Sequence, residues 1–201
     1  MTDYFGDDEN DFEATAVSGA AGANIAVAVS FALNIANIAT TGQLTSTANV
    51  TIIDDATAGN LAVGATANAF SGVEALPRDK AVGGSVGVGA SVALNIINDD
   101  AIAEIQAGAT VDTAGATDVT LTSRGGHGST TTAKAGASSD GLSLVPSIAI
   151  TISNIDRIAR ILNAGADAEI ALAGALKISV DTTTSETAAR TSAAGAAISA
   201  G

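Results

Sequence analysis

One alternating stretch recurs along this 201-residue chain, and that recurrence limits the folds open to it more than any other feature. Its fullest copy opens the segment from Ala81 to Ser123. There Val86, Val88, Ala90, Val92 and Leu94 occupy one face of an extended chain, while Gly87, Gly89, Ser91, Ala93 and Asn95 occupy the other. Side chains alternate sides with period two in a strand, so the stretch reads as β, with the larger apolar groups expected to fill the interior. Ile25, Val27, Val29, Phe31 and Leu33 repeat the pattern 61 residues earlier, and Leu144, Pro146, Ile148, Ile150 and Ile152 repeat it 58 residues later. Behind each long run comes a short Ala-x-Ile segment (Ala36–Ile38, Ala103–Ile105, Ala159–Ile161), then a further strand-like triplet (Val50–Ile52, Val119–Leu121, Ile178–Val180). A tract of small residues closes each copy, at 61–69, 130–139 and 187–200.

A unit of about 60 residues with several short strands cannot bury its apolar face alone and must stack on its neighbours. The expected fold is all-β: a parallel β-solenoid, or β-helix, of about three degenerate repeats, each winding two or three coils. The copies are placed at about 14–80, 81–140 and 141–201 within one domain spanning 14–201. Composition agrees, since 47% of residues are apolar but only 2% aromatic, beside 22 Gly, which suits thin stacked layers. The uncharged run Gly22–Ala39 is long enough to score as a membrane span, but Asn24, Ser30, Asn34 and Asn37 interrupt it and its period is two. Ser153–Asn163 carries a helix-like spacing of Ile155, Ile158, Ile161 and Leu162; its correspondence to 98–106 favours strand. Residues 72–80 match no other copy and read as a surface loop or insertion.

The net charge of −13 is uneven, with Asp3, Asp7, Asp8, Glu9, Asp11 and Glu13 gathered in residues 1–13. That acidic leader is expected to be a flexible tail, or else an arm whose Tyr4, Phe5 and Phe12 dock on a neighbour. Negative charge disfavours nucleic acid as a partner, and no membrane insertion is expected. The residues after Met1 do not form a signal peptide, so the export signal is expected elsewhere, or in a larger chain. With no Cys, disulfides, thiolate metal sites and cysteine nucleophiles are excluded.

No catalytic residue and no cofactor is expected, apart from calcium on Asp7, Asp8, Asp11, Asp99 or Asp100, which lack the ordered spacing of a calcium loop. The single His127 sits in Arg124-Gly125-Gly126-His127-Gly128, which reads as a glycine turn. The run GGSVGVG at 83–89 lacks the Gly-Lys-Ser/Thr ending of a phosphate loop, and a strand is expected to run straight through it. The adjacent acids Asp54-Asp55 and Asp99-Asp100 point to opposite faces of a strand or sit in a solvated turn, so neither pair makes an acid–base couple. Asn34 and Asn95, with Ser153 as third counterpart, bond to backbone or to one another and fix register if they lie inward, and are ordinary turn polar groups if outward; the structural role is favoured.

The string VGVGASVALNI, the Ala-x-Ile-x-Ala-Gly-Ala turn and the Val-Thr-Leu-Thr-Ser strand resemble the repeats of giant bacterial filamentous adhesins and leukotoxin-like exoproteins. The resemblance covers 14–201, with Pro146 and Arg157–Arg160 departing from it in the third copy. It implies a right-handed solenoid stalk, extracellular or on the cell surface, without catalytic residues. The expected function is thus a structural or adhesive β-solenoid segment of a large secreted or cell-surface bacterial protein. Its partners would be copies of itself or a continuing solenoid end to end, and a host or neighbouring-cell surface. One alternative is a self-assembling extracellular filament subunit stacking end to end, since the tract 192–201 carries neither charge nor proline to blunt an edge. Another is a carbohydrate-active β-helix enzyme, for which no aromatic platform is evident.

Overall fold

The computed structural model describes residues 10–53, 59–77, 81–114, 117–162 and 170–195. All regular structure among them is β-strand, and every strand pairing is parallel. Sheet A collects β1 (Asn10–Ser18), β2 (Ala21–Gly22), β5 (Leu61–Thr66), β6 (Ala69–Pro77), β7 (Ala81–Gly83), β10 (Val119–Ser139) and β14 (Leu176–Gly195). Sheet B holds β3 (Ile25–Leu44), β8 (Val86–Ile105), β11 (Leu142–Leu144) and β12 (Ser147–Ile161). The short sheet C holds β4 (Asn49–Ile52), β9 (Thr110–Thr113) and β13 (Ile170–Ala171). The chain visits A, B and C in that order, three times, and then returns to A.

Register fixes the repeat. Ile25 pairs with Val86 and Leu33 with Leu94, the expected interval of 61. The third copy is displaced from expectation by one pleat: Leu142, not Leu144, pairs with Val86, an interval of 56. A shift of two residues keeps every side chain on its face. Thr151, rather than Ser153, therefore stands beside Asn95. Ala103 pairs with Ala159 as read, but their first-copy partner is Gly42 and not Ala36. Val50 pairs with Val111 in sheet C, while Val119 pairs with Leu61 and Leu176 in sheet A. One unit thus gives each sheet one rung, not the two or three coils expected of it.

Several local readings change as well. Residues 72–77 are not a loop but the end of β6, where Val73 (1% exposed) and Ala75 (0%) alternate inward. GGSVGVG is broken at Gly84-Ser85, the corner between sheets A and B. Asp99-Asp100 and His127 sit in mid-strand, in β8 and β10, not in turns. Ser153–Ile161 is strand, as is most of Gly22–Ala39, and Asn10–Glu13 belong to β1, paired with Ala69–Gly72. Phe12 packs there on Ala36, Ala69 and Ile97. Tyr4 and Phe5 lie outside the described residues.

The main reversal concerns the core. In β3 the buried set is Ala26, Ala28, Ser30, Ala32 and Ala36, while Ile25, Val27, Phe31 and Leu33 point to solvent. In β8 the buried set is Gly87, Gly89, Ser91, Ala93 and Asn95; Val86, Val88, Val92 and Leu94 face outward, half-buried by their neighbours on either side. The reason lies across the interior. Sheet A presents its own small residues, Ala75, Ala81, Ala133 and Ala137, and the two sheets close on Ala-to-Ala contacts. A β-carbon added to Gly89 would sit 2.0 Å from the Gly136 carbonyl oxygen, so here the sheets meet backbone to backbone. No branched side chain of the kind that holds ordinary sheets about 10 Å apart fits at Gly89. Large apolar residues point inward around Ile105, Val111, Val119 and Leu121, at the end where sheet C widens the section, and also elsewhere in the slot at Phe12, Val73 and Ile97.

Two substitutions separate the faces. Gly89→Val should lower stability by about 3 kcal/mol through overpacking. Val92→Thr, on the outward face of the same strand, should change it by less than about 1 kcal/mol. Denaturant unfolding of both variants checks this; a large loss at Val92 with none at Gly89 would reverse the assignment.

Candidate functional site

The outer faces of the two long sheets differ in chemistry. Outward positions of sheet A are largely polar, among them Glu13, Thr15, Glu74, Thr130, Thr132 and Lys134. Outward positions of sheet B are apolar from one side to the other: Ile25, Val27, Val29, Phe31, Leu33 and Ile35 in β3, with their register partners over Val86–Ile96 and Leu142–Ile152. The edge positions are open, with Ile25 64% and Phe31 58% exposed. A ladder of three amides ends the apolar field: Asn98 Nδ2 donates to Asn37 Oδ1 at 2.5 Å, and Asn154 Nδ2 to Asn98 Oδ1 at 2.7 Å. Beyond it come Asp100 and Asp156, side by side, then the ion pair of Glu104 with Arg160 at 2.9 Å.

Inside the slot, polar side chains span the sheets. Ser71 Oγ donates to Asn95 Oδ1 at 2.6 Å, Asn34 Nδ2 donates to Ser71 Oγ at 2.6 Å and to Asn95 Oδ1 at 3.3 Å, and Asn95 Nδ2 donates to the Ser71 carbonyl at 3.1 Å. Of the two placements open to Asn34 and Asn95, the structure has the inward one, with the two amides bonded to each other. The next polar group is built on Asp99, His127 and Arg157, with side-chain exposures of 0%, 0% and 2%. Arg157 donates to Asp99 Oδ2 at 2.5 Å and to the Asp99 carbonyl at 2.6 Å. His127 Nε2 shares a hydrogen bond of 2.7 Å with Ser153 Oγ, and its Nδ1 stands 3.7 Å from Asp99 Oδ2. The order Ser153, His127, Asp99 has the types of a hydrolytic triad, but His127 and Asp99 are shut away from solvent and the carboxylate is held by a guanidinium. As arranged, the cluster ties β8, β10 and β12 together and offers no substrate a place.

Of the calcium candidates, Asp99 is turned inward onto Arg157 and Asp100 outward, as adjacent strand residues must be. Asp11 is half-buried in β1, and Asp7, Asp8 and the pair Asp54-Asp55 lie outside the described residues. Among the described residues, no group of three or more His, Cys, Asp or Glu side chains is placed to share a metal ion. No helix among the described residues is long and apolar enough to cross a membrane. Sheet A carries an open, polar groove of about 550 Å3 lined by Asn10, Asn68, Arg124, Asp181 and Thr183, in which Arg124 Nε donates to Thr66 Oγ1 at 3.2 Å. Sequence reasoning missed Arg157 as a core cation, because nothing in its local run marks a partner 58 residues away. No known protein family, curated protein or solved structure matches the chain.

Removing one member of the buried pair should be costly. Arg157→Met strands the Asp99 carboxylate and should destabilise by about 3–5 kcal/mol, part of which Asp99→Asn in the same chain restores; urea unfolding measures both. A smaller effect arises at Glu104, whose side chain is 8% exposed. Hydrogen bonds from Gln106 and Arg160 hold the Glu104 carboxyl below its ordinary value of 4.5. Its contribution is complete above that value and is lost as pH falls through the lowered one, so Glu104→Gln should flatten the acid limb of a stability–pH curve.

Proposed function

We propose that the chain is a structural, adhesive segment of a large secreted or cell-surface bacterial protein, its three parallel sheets forming the walls of a β-solenoid. One observation carries this reading. Residues 56–61 apart lie side by side in all three sheets, so each unit of sequence adds one rung to every wall. Such a stack grows by addition of like units and each unit contacts only its neighbours, the economy of a spacer or stalk. The most elaborate polar cluster is spent on holding the walls together, which fits a scaffold better than an enzyme.

End-to-end self-assembly into a filament is the second reading. It is favoured by β3 and β14, each 20 residues long and each paired with a single described strand, which leaves long backbone edges of the kind that template addition.

The modular reading is tested by duplication. Because Leu142 occupies the place of Val86, a second copy of residues 86–141 inserted after position 141 keeps every register. The lengthened chain should fold, extend by about 4.8 Å along the stack in small-angle scattering, and melt no lower than the parent. Loss of folded structure, or growth in some other direction, would refute the solenoid. Sedimentation over a concentration series separates the readings: a stalk segment does not polymerise, whereas a filament subunit forms ever longer species.

A further inference from the structure

Among the described residues nothing covers the apolar face of sheet B, and we propose that it is the contact by which two copies of this chain pair laterally, sheet on sheet. This goes beyond the scaffold reading and does not depend on it. Three observations single out a second copy as the occupant.

The first is the strand sequence itself. Parallel sheets are as a rule covered on both faces, and their strands then read as continuous apolar runs. The run Ile25–Ile35 in β3 and its partners in β8 and β12 read that way, with Ala, Gly and Ser on the inner face and Ile, Val, Leu and Phe on the outer. Sheet A, whose outer positions carry Glu, Thr and Lys, shows what a solvated face of this same fold looks like.

The second is area. From Val86 to Ile96 the field runs about 35 Å along the strand and about 14 Å across three strands, a footprint of about 500 Å2 before side-chain relief is counted. That is at the upper limit of the patches monomers leave open, and the corrugated surface approaches the roughly 800 Å2 per partner buried in stable interfaces. The face is also ruled at the strand spacing, so the surface that fits it best is another such sheet, the packing found in sandwiches.

The third is charge. With a net charge of −13, copies repel one another overall, and an uncharged field is where contact costs least. Asp100 and Asp156 lie just past the asparagine ladder, at one end only. A two-fold pairing with strands antiparallel across the contact sets the Asp100–Asp156 pairs of the two copies at opposite ends, each over the corner where a lone Asp140 is exposed, and closes at two. A lipid surface fits less well. The field holds one aromatic, Phe31, and no Lys or Arg borders its open end, whereas membrane-lying surfaces are edged with Trp and cations.

The test uses the full chain. In sedimentation at micromolar concentration the parent should run as a dimer. Phe31→Lys combined with Ile150→Lys should weaken that dimer at least about a hundredfold, because each contact then buries unpaired charge. Circular dichroism of the variant should match the parent, since both positions are outward. Should it fail to fold, a single cysteine answers the same question, as the chain has none of its own. Val92→Cys, at the centre of the field, should form an intermolecular disulfide rapidly, and Thr132→Cys, outward on sheet A, should not. A parent that stays monomeric, a variant that associates as the parent does, equal cross-linking at both positions, or a monomer that instead binds neutral lipid vesicles would each overturn the proposal. End-to-end polymers that persist in the double-lysine variant would leave the filament reading standing and remove this one.

Discussion

The structure depends on the closeness of two backbones. Where Gly89 faces Gly136, and Gly42 faces Gly64, a single β-carbon would stand 2.0 Å from a carbonyl oxygen. Sheets that approach this far gain dense contact between main chains but forfeit the volume in which side chains usually interdigitate. The interior is therefore written in Ala, Gly and Ser. Over Ile25–Ile35 and Val86–Ile96 the large apolar residues carried for β-propensity point the other way. The open apolar field is thus a direct result of the narrow slot.

A thin interior also changes how polar groups are used. Short side chains such as Ser71, Asn34 and Asn95 reach across it and satisfy one another or a carbonyl within about 3 Å, where a wide core would leave them stranded. Asp99 and Arg157 exploit the same shortness. The carboxylate and guanidinium come from strands one rung apart and meet under His127, contributed by the facing sheet. A buried pair of this kind adds little net stability, but it penalises any slip of β12 on β8 by stranding a charge.

Strand, parallel pairing and a repeat of about 60 residues were legible in the sequence, because period-two alternation and the Val-Ala-Leu-Asn-Ile string of 92–96 are local signals. The sign of the alternation was not. Two alternating sets define two faces, and which one is inner depends on the opposing sheet. The clue was present in the small-residue tracts 61–69 and 130–139, read as the close of each unit when they are the facing wall. A wall of Ala and Gly can be met only by another. The site was less legible still: Asp99 and Asp100 do point apart, as adjacent residues in a strand must, but the meeting of His127 with Ser153 and Asp99 crosses three strands and leaves no motif.

The corner between sheets A and B is two residues long each time the chain turns it: Ala23-Asn24, Gly84-Ser85 and Asp140-Gly141. Successive corners bond to one another, Ser85 N to the Asn24 carbonyl at 2.8 Å and Leu142 N to the Ser85 carbonyl at 2.9 Å. The interval between units, by contrast, changes from 58 to 56 between Ala75 and Ala81, and from 56 at Ile161 in sheet B to 59 at Ile170 in sheet C. Length variation is thus confined to other parts of the circuit, while this edge acts as a spine of constant gauge. For anyone grafting a peptide or a tag onto this fold, the spine is the one margin to leave untouched.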